Sequence, residues 1–62
     1  MVTIKISTAN EAFSADPGYE VGRILRRLAQ DVESGVTFDN GEEIKLRDIN
    51  GNTVGSFKYT TN

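Results

Sequence analysis

The chain has no cysteine, no histidine and no tryptophan, and a single proline and a single methionine among its 62 residues. Without Cys there can be no disulfide. Without Cys or His, zinc, haem and iron–sulfur centres lose their usual thiolate and imidazole ligands. Ser7, Ser14, Ser34 and Ser56 likewise have no imidazole to activate them as nucleophiles. Long apolar runs are missing too: nothing approaches the ~20 residues that span a bilayer. The opening "MVTIKIS" lacks an apolar core followed by a small-residue cleavage site, so no signal peptide is expected and the chain reads as soluble and cytosolic. Charge of one sign is scarce. Seven cations face nine acids, a net charge of −2, too mild to mark a nucleic-acid or membrane-surface binder by charge alone and too weak for a whole-molecule mimic of DNA. The six glycines stand singly, with no P-loop and no G-x-G-x-x-G.

What is present is one small domain, residues 1–62. A chain of this size buries only roughly 60% of the surface its unfolded form exposes, so it needs either a well-packed core or self-association. Residues 2–7, "VTIKIS", alternate strictly, with Val2, Ile4 and Ile6 on one face, and predict a half-buried strand. "TANEAFSAD" has no period. Its Phe13 is expected to dock on the core, with a short helical turn around Asn10–Phe13.

"DPGYEVGRILRRLAQDVESG" predicts the helix. Asp16 is the N-cap, Pro17 takes the first helical position, where its missing N–H costs nothing, and Gly35 supplies the left-handed stop. At about 100° per residue, Val21, Leu25, Leu28 and Val32 form the centre of an apolar stripe, flanked by Ile24 and Ala29. The opposite arc holds Glu20, Arg23, Arg26, Arg27, Gln30, Asp31 and Glu33, with Glu20–Arg23 and Arg27–Asp31 spaced to pair. "VTFDNGE" reads as a loop with an Asn40-Gly41 turn and Phe38 folded over one end of the core. "EIKLRD" alternates again, Ile44 and Leu46 inward, Lys45 and Arg47 outward. A last strand is expected over about 53–60.

"DING" between these strands fits a type I turn with Asp48 first and Gly51 in the left-handed region, the bulge of a three-residue hairpin loop. That register pairs Asp48 with Asn52 and Leu46 with Val54. It requires a second bulge near Gly55-Ser56 for Phe57 and Tyr59 to point inward with Val54. A two-residue turn at Asn50-Gly51 would instead pair Leu46 with Gly55 and Ile44 with Phe57, leaving Val54 outside. The echo of a calcium loop in Asp48-x-Asn50-x-Asn52 fails, because the sixth position is Thr53 rather than Gly and the twelfth is Tyr59 rather than Glu.

The expected architecture is α+β, a β-α-β-β domain. Its three-stranded antiparallel sheet has the last strand central, in order 1-3-2, and one amphipathic helix on one face. No carboxylate is flanked by a motif that desolvates it or pairs it with a base, so the chain is not expected to be an enzyme, nor to hold a cofactor or a metal. Its cations fall into two groups. Lys5, Lys45, Arg47 and Lys58 are expected on the sheet face away from the helix, with no acid among the strand residues there. Arg23, Arg26 and Arg27 are expected on the exposed helix arc. These seven are the candidate partner-binding residues, for an acidic protein or for phosphates. Single-strand readers place aromatics on such a platform. Phe57 and Tyr59 are expected inside instead, which puts nucleic acid second to protein.

The stretches "TANEAF", "GRILRRLAQDVESG" and "LRDINGNTVGSF", the last carrying D-x-N-G-N-x-V-G over Asp48–Gly55, together resemble a set of small phage- and prophage-encoded proteins of about this length. The resemblance covers Thr8 to Phe57. It implies a phage or prophage origin and action in the host cytoplasm, and brings no activity and no functional residues with it. Phage accessory proteins of this size often bind a host or phage protein, and the expectation is a non-catalytic binding protein of that kind, with self-association as a companion.

Overall fold

The structure is a computed structural model and describes residues 1–35 and 41–61. Strand β1 (Val2–Ile6) leads through a 3-10 turn (Glu11–Phe13) to helix α1 (Pro17–Glu33). Strands β2 (Glu43–Arg47) and β3 (Thr53–Tyr59) follow as a hairpin. The sheet order is β1-β3-β2, with both pairings antiparallel. The α+β, β-α-β-β expectation holds. The expected Phe38 contact and the turn at Asn40 lie outside the described residues.

The helical elements start and stop for local reasons. Asp16 Oδ1 accepts from the Tyr19 amide at 3.0 Å, and Pro17 opens α1 behind it. Gly35, at φ 81°, follows the C-cap Ser34. Asn10 caps the 3-10 turn through its own Oδ1, which accepts from Ala12 N at 2.9 Å. That turn drives Phe13 into the core, where it is almost fully enclosed. Phe13, Ile24, Leu28, Leu46, Val54 and Phe57 make up the buried apolar cluster.

The hairpin resolves the two competing registers by using both. At the turn, Gly51 N donates to Asp48 O at 3.0 Å, Asp48 N donates to Asn52 O at 2.9 Å, and Gly51 sits at φ 85°. This is the three-residue loop. Arg47 pairs with Thr53, but Leu46 then pairs with Gly55 and Ile44 with Phe57. The bulge therefore falls at Val54–Gly55, one position nearer the turn than Gly55-Ser56, and Leu46 faces Gly55 rather than Val54. The physical reason lies at Gly55. A Cβ there would stand 1.9 Å from the Lys5 carbonyl oxygen, so β1 and β3 approach at a point only glycine allows. An extra residue at this place lets Val54, Phe57 and Tyr59 all turn toward the core side.

Two expectations about faces need correction. The helix stripe is rolled: Glu20, Ile24 and Leu28 are its buried residues, while Leu25 is 41% exposed and Ala29 lies open. Glu20, assigned by its charge to the solvent arc, is only 3% exposed. It can be buried because its carboxylate is filled by Arg23 and by a backbone amide of the hairpin. The outer sheet face is also not free of acids. Glu43 is the cross-strand partner of Lys58 and accepts from Lys45 Nζ at 3.1 Å.

Candidate functional site

The geometry begins with a polar clip. Asp48, 4% exposed, opens the hairpin turn. Its Oδ1 accepts from the amides of Asn50 and Asn52, both at 2.9 Å, and its Oδ2 from the side chains of Asn10 at 2.7 Å and Asn52 at 3.3 Å. Beside it, Glu20 accepts from Arg23 Nε at 2.8 Å and Nη2 at 3.0 Å, and its Oε2 also takes the Ile49 amide at 2.8 Å. The clip fastens the first turn of α1 and the β1–α1 connection to the hairpin tip. It explains why "DING" is a turn and not a cation loop, since donors already occupy both oxygens of Asp48. Among the described residues, no group of three or more acids could hold a metal ion.

Both carboxylates titrate low. The bidentate hydrogen bond from Arg23 is the main cause for Glu20. Burial opposes it, and the Ile49 amide and the guanidinium charge reinforce it. For Asp48, burial is the largest single influence and pushes the pKa up. The hydrogen bonds from Asn52, Asn10 and Asn50 together outweigh it and hold the pKa below the usual aspartate value. The same pairing raises the Arg23 pKa.

Next to the clip runs a groove of about 410 Å³ between α1 and β2. Arg23 and Arg27 line it from the helix, Lys45 and Arg47 from the strand, with the acids Asp31 and Asp48 also at its walls, over a floor that includes Ile24, Leu28 and Leu46. Four of the seven cations thus border one groove, two from each group; Lys45 and Arg47 keep the outward direction expected of them, Lys45 Nζ meeting Glu43 and Arg47 Nη1 meeting Thr53 Oγ1. The cause is the helix roll, which carries Arg23 and Arg27 toward β2. Arg23 Nη2 also donates to the Arg47 carbonyl at 3.3 Å, tying the two walls together. Arg47 Nη1 donates to Gly51 O and to Thr53 Oγ1, at 3.3 and 3.1 Å. Arg27 pairs with Asp31 at 3.4 Å and stays largely in solvent. Both helix pairings expected from spacing are present. The groove follows an open sheet edge, since among the described residues β2 pairs only with β3.

The other three candidates stand apart. Lys5 and Lys58 lie on the outer sheet face, Lys5 across from Ser56 and Lys58 between Thr3 and Glu43. Arg26 extends along the solvent side of the helix over Gly22. The sequence reading overlooked Ile49, which is 66% exposed at the lip of the groove. An apolar residue at the centre of a polar turn was the available signal.

No family model, no curated protein and no solved structure matches the chain. Among the described residues, no helix is long and apolar enough to cross a membrane. The class that the coordinates define is a three-stranded antiparallel sheet carrying one helix, with a cationic groove along the β2 edge.

Proposed function

We propose that this is a non-catalytic protein-binding module, a phage or prophage accessory protein acting in the bacterial cytoplasm. Its α1–β2 groove takes an acidic, extended segment of a host or phage protein. One observation carries the reading: Arg23, Arg27, Lys45 and Arg47 border a groove with an apolar floor beside an open strand edge, in a chain whose net charge is −2. Four cations bordering one groove favour acidic partners and steer their approach. The open edge offers main-chain hydrogen bonds to an added strand, and the floor offers pockets to its side chains. The saturated carboxylates of Glu20 and Asp48 support a binding rather than a catalytic role, because neither has a free oxygen to serve as a base.

Titration of the isotope-labelled chain with Glu/Asp-rich extended peptides tests this. Amide shifts are expected along Ile44–Arg47 and around Arg27, and Arg27→Glu with Lys45→Glu should abolish them. Shifts confined to the outer face at Lys5 and Lys58, or none at millimolar peptide, would count against the groove. Nucleic acid is the second reading, favoured by the same cations. Its signature is affinity for oligonucleotides that falls steeply with salt and is weakened by the same two reversals.

A further inference from the structure

On the opposite side of the helix from the cationic groove, the roll of α1 leaves an apolar cleft lined by Val2, Ile4, Leu25, Ala29 and Val32. Val2 is 46% and Ile4 42% exposed, although both side chains face the helix side of the sheet. This cleft borders the free edge of β1, which pairs only with β3 among the described residues. Met1 and Thr60 exchange backbone hydrogen bonds, and Ser7 N donates to Val54 O at 2.7 Å. The alternation of an antiparallel ladder therefore turns the odd residues Thr3 and Lys5 toward β3. The N–H and C=O groups of Val2, Ile4 and Ile6 point out along the open edge. Val2 and Ile4 thus carry both exposed apolar side chains and outward backbone groups, and the half-buried Ile6 adds its own outward backbone groups to the same edge.

We propose that a second copy of this chain occupies that edge, β1 pairing antiparallel with β1 about a two-fold axis at Ile4, to give one continuous six-stranded sheet. The register follows from backbone and charge together. Centred on Ile4, the outward groups match as Val2 with Ile6, Ile4 with Ile4 and Ile6 with Val2, each an exchanging pair. On the outer face, Lys5 then lies across from Thr3 of the second copy. A shift centred on Lys5 would set two like charges opposite each other, and one centred on Thr3 would leave Ile6 unmatched. The axis is perpendicular to the sheet, so both helices lie on the same side and the two clefts meet across the seam, where Val2, Ile4 and Leu25 are covered. A domain of this size gains stability from a partner subunit, and an isologous two-fold is the commonest closed arrangement. The α1–β2 grooves remain open at the outer ends of the joined sheet.

Sedimentation of the full chain is expected to show a species near twice the 6.8 kDa monomer mass, dissociating on dilution. Amide exchange at Val2, Ile4 and Ile6 should slow as concentration rises, with Thr3 and Lys5 amides protected throughout. The chain has no native Cys, so disulfide formation reads the register directly. Mixed Thr3→Cys and Lys5→Cys chains should cross-link to each other and not to themselves. A monomer at millimolar concentration would overturn the proposal, including the case in which this edge serves only an extended segment of another protein. So would a dimer whose Ile4 amide exchanges at the monomer rate, or one in which Lys5→Cys chains link to one another. None of these results bears on the acidic-peptide titration, which reads the other side of the molecule.

Discussion

Replacing Gly55 with alanine tests the hairpin argument at its tightest point. The added Cβ would sit 1.9 Å from Lys5 O and 2.8 Å from Lys5 C, about 1.5 Å short of the 3.4 Å at which ordinary contact begins. Those atoms are backbone, so no side chain can swing aside; β1 must move away from β3. A displacement of that size stretches the 2.7 Å bond from Ser7 N to Val54 O beyond hydrogen-bonding range and disturbs the adjoining Lys5–Ser56 pairing. Two bonds at ~1 kcal/mol each, with an overpacking cost of ~1–3 kcal/mol, give a loss of about 3 kcal/mol or more. A domain of this length has only roughly 3–9 kcal/mol in total, so Tm should fall by ~12 °C or more. Urea and thermal unfolding followed by circular dichroism measure both quantities. A Gly55→Ala chain whose midpoints match wild type within ~0.5 kcal/mol would mean that β1 and β3 do not approach at this residue, and the bulge placement would have to be abandoned.

Gly22→Ala should stabilise by ~0.5–1 kcal/mol, because a Cβ there meets only the movable end of Arg26 at 3.4 Å while the helix gains propensity; an unchanged or lowered melting temperature would contradict this. Asp48→Ala should lower Tm sharply and loosen both the Asn10 cap and the hairpin tip, seen as faster amide exchange at Asn50 and Asn52, whereas Asp31→Ala should do neither. The folded-state pKa values of Glu20 and Asp48 lie below their unfolded values of about 4.3 and 3.9. Their contribution is therefore full above about pH 5 and is lost as the pH falls through those values and then through the lower folded ones. Glu20→Gln with Asp48→Asn should flatten this acid limb of the stability curve, and a limb of unchanged slope would place the linkage elsewhere.

Most of the fold was legible because its signals are local. The period-two run at Val2–Ile6, the Asp16-Pro17 start, the Gly35 stop and the Asp48–Gly51 turn each act over a few residues, and each sits where its chemistry directs. The helix roll was not legible. A helical wheel weighs every apolar side chain alike, so it centred the stripe near Leu25 and Leu28. The orientation is decided by a tertiary fact, the Ile49 amide and the Arg23 guanidinium satisfying Glu20, which makes burying a carboxylate tolerable on that side. The site inherits this error. The seven cations were identifiable as candidates and the strand cations lie outward as expected, but the unrolled helix hid the groove that Arg23 and Arg27 come to share with the β2 edge at Lys45 and Arg47. Glu43 was read only as the start of its strand, though the same alternation that sends Lys45 outward sends Glu43 with it.

Val54 and Phe57 are three positions apart, an odd spacing that an unbroken strand would direct to opposite sides. That they share the core means β3 carries a parity change at one place, and everything after it is read in the shifted frame. Single amino-acid exchanges along β3 can thus be judged one at a time, but gain or loss of one residue between Ser56 and Tyr59 would invert the sense of the whole terminal half, sending Lys58 inward and an aromatic ring out to water.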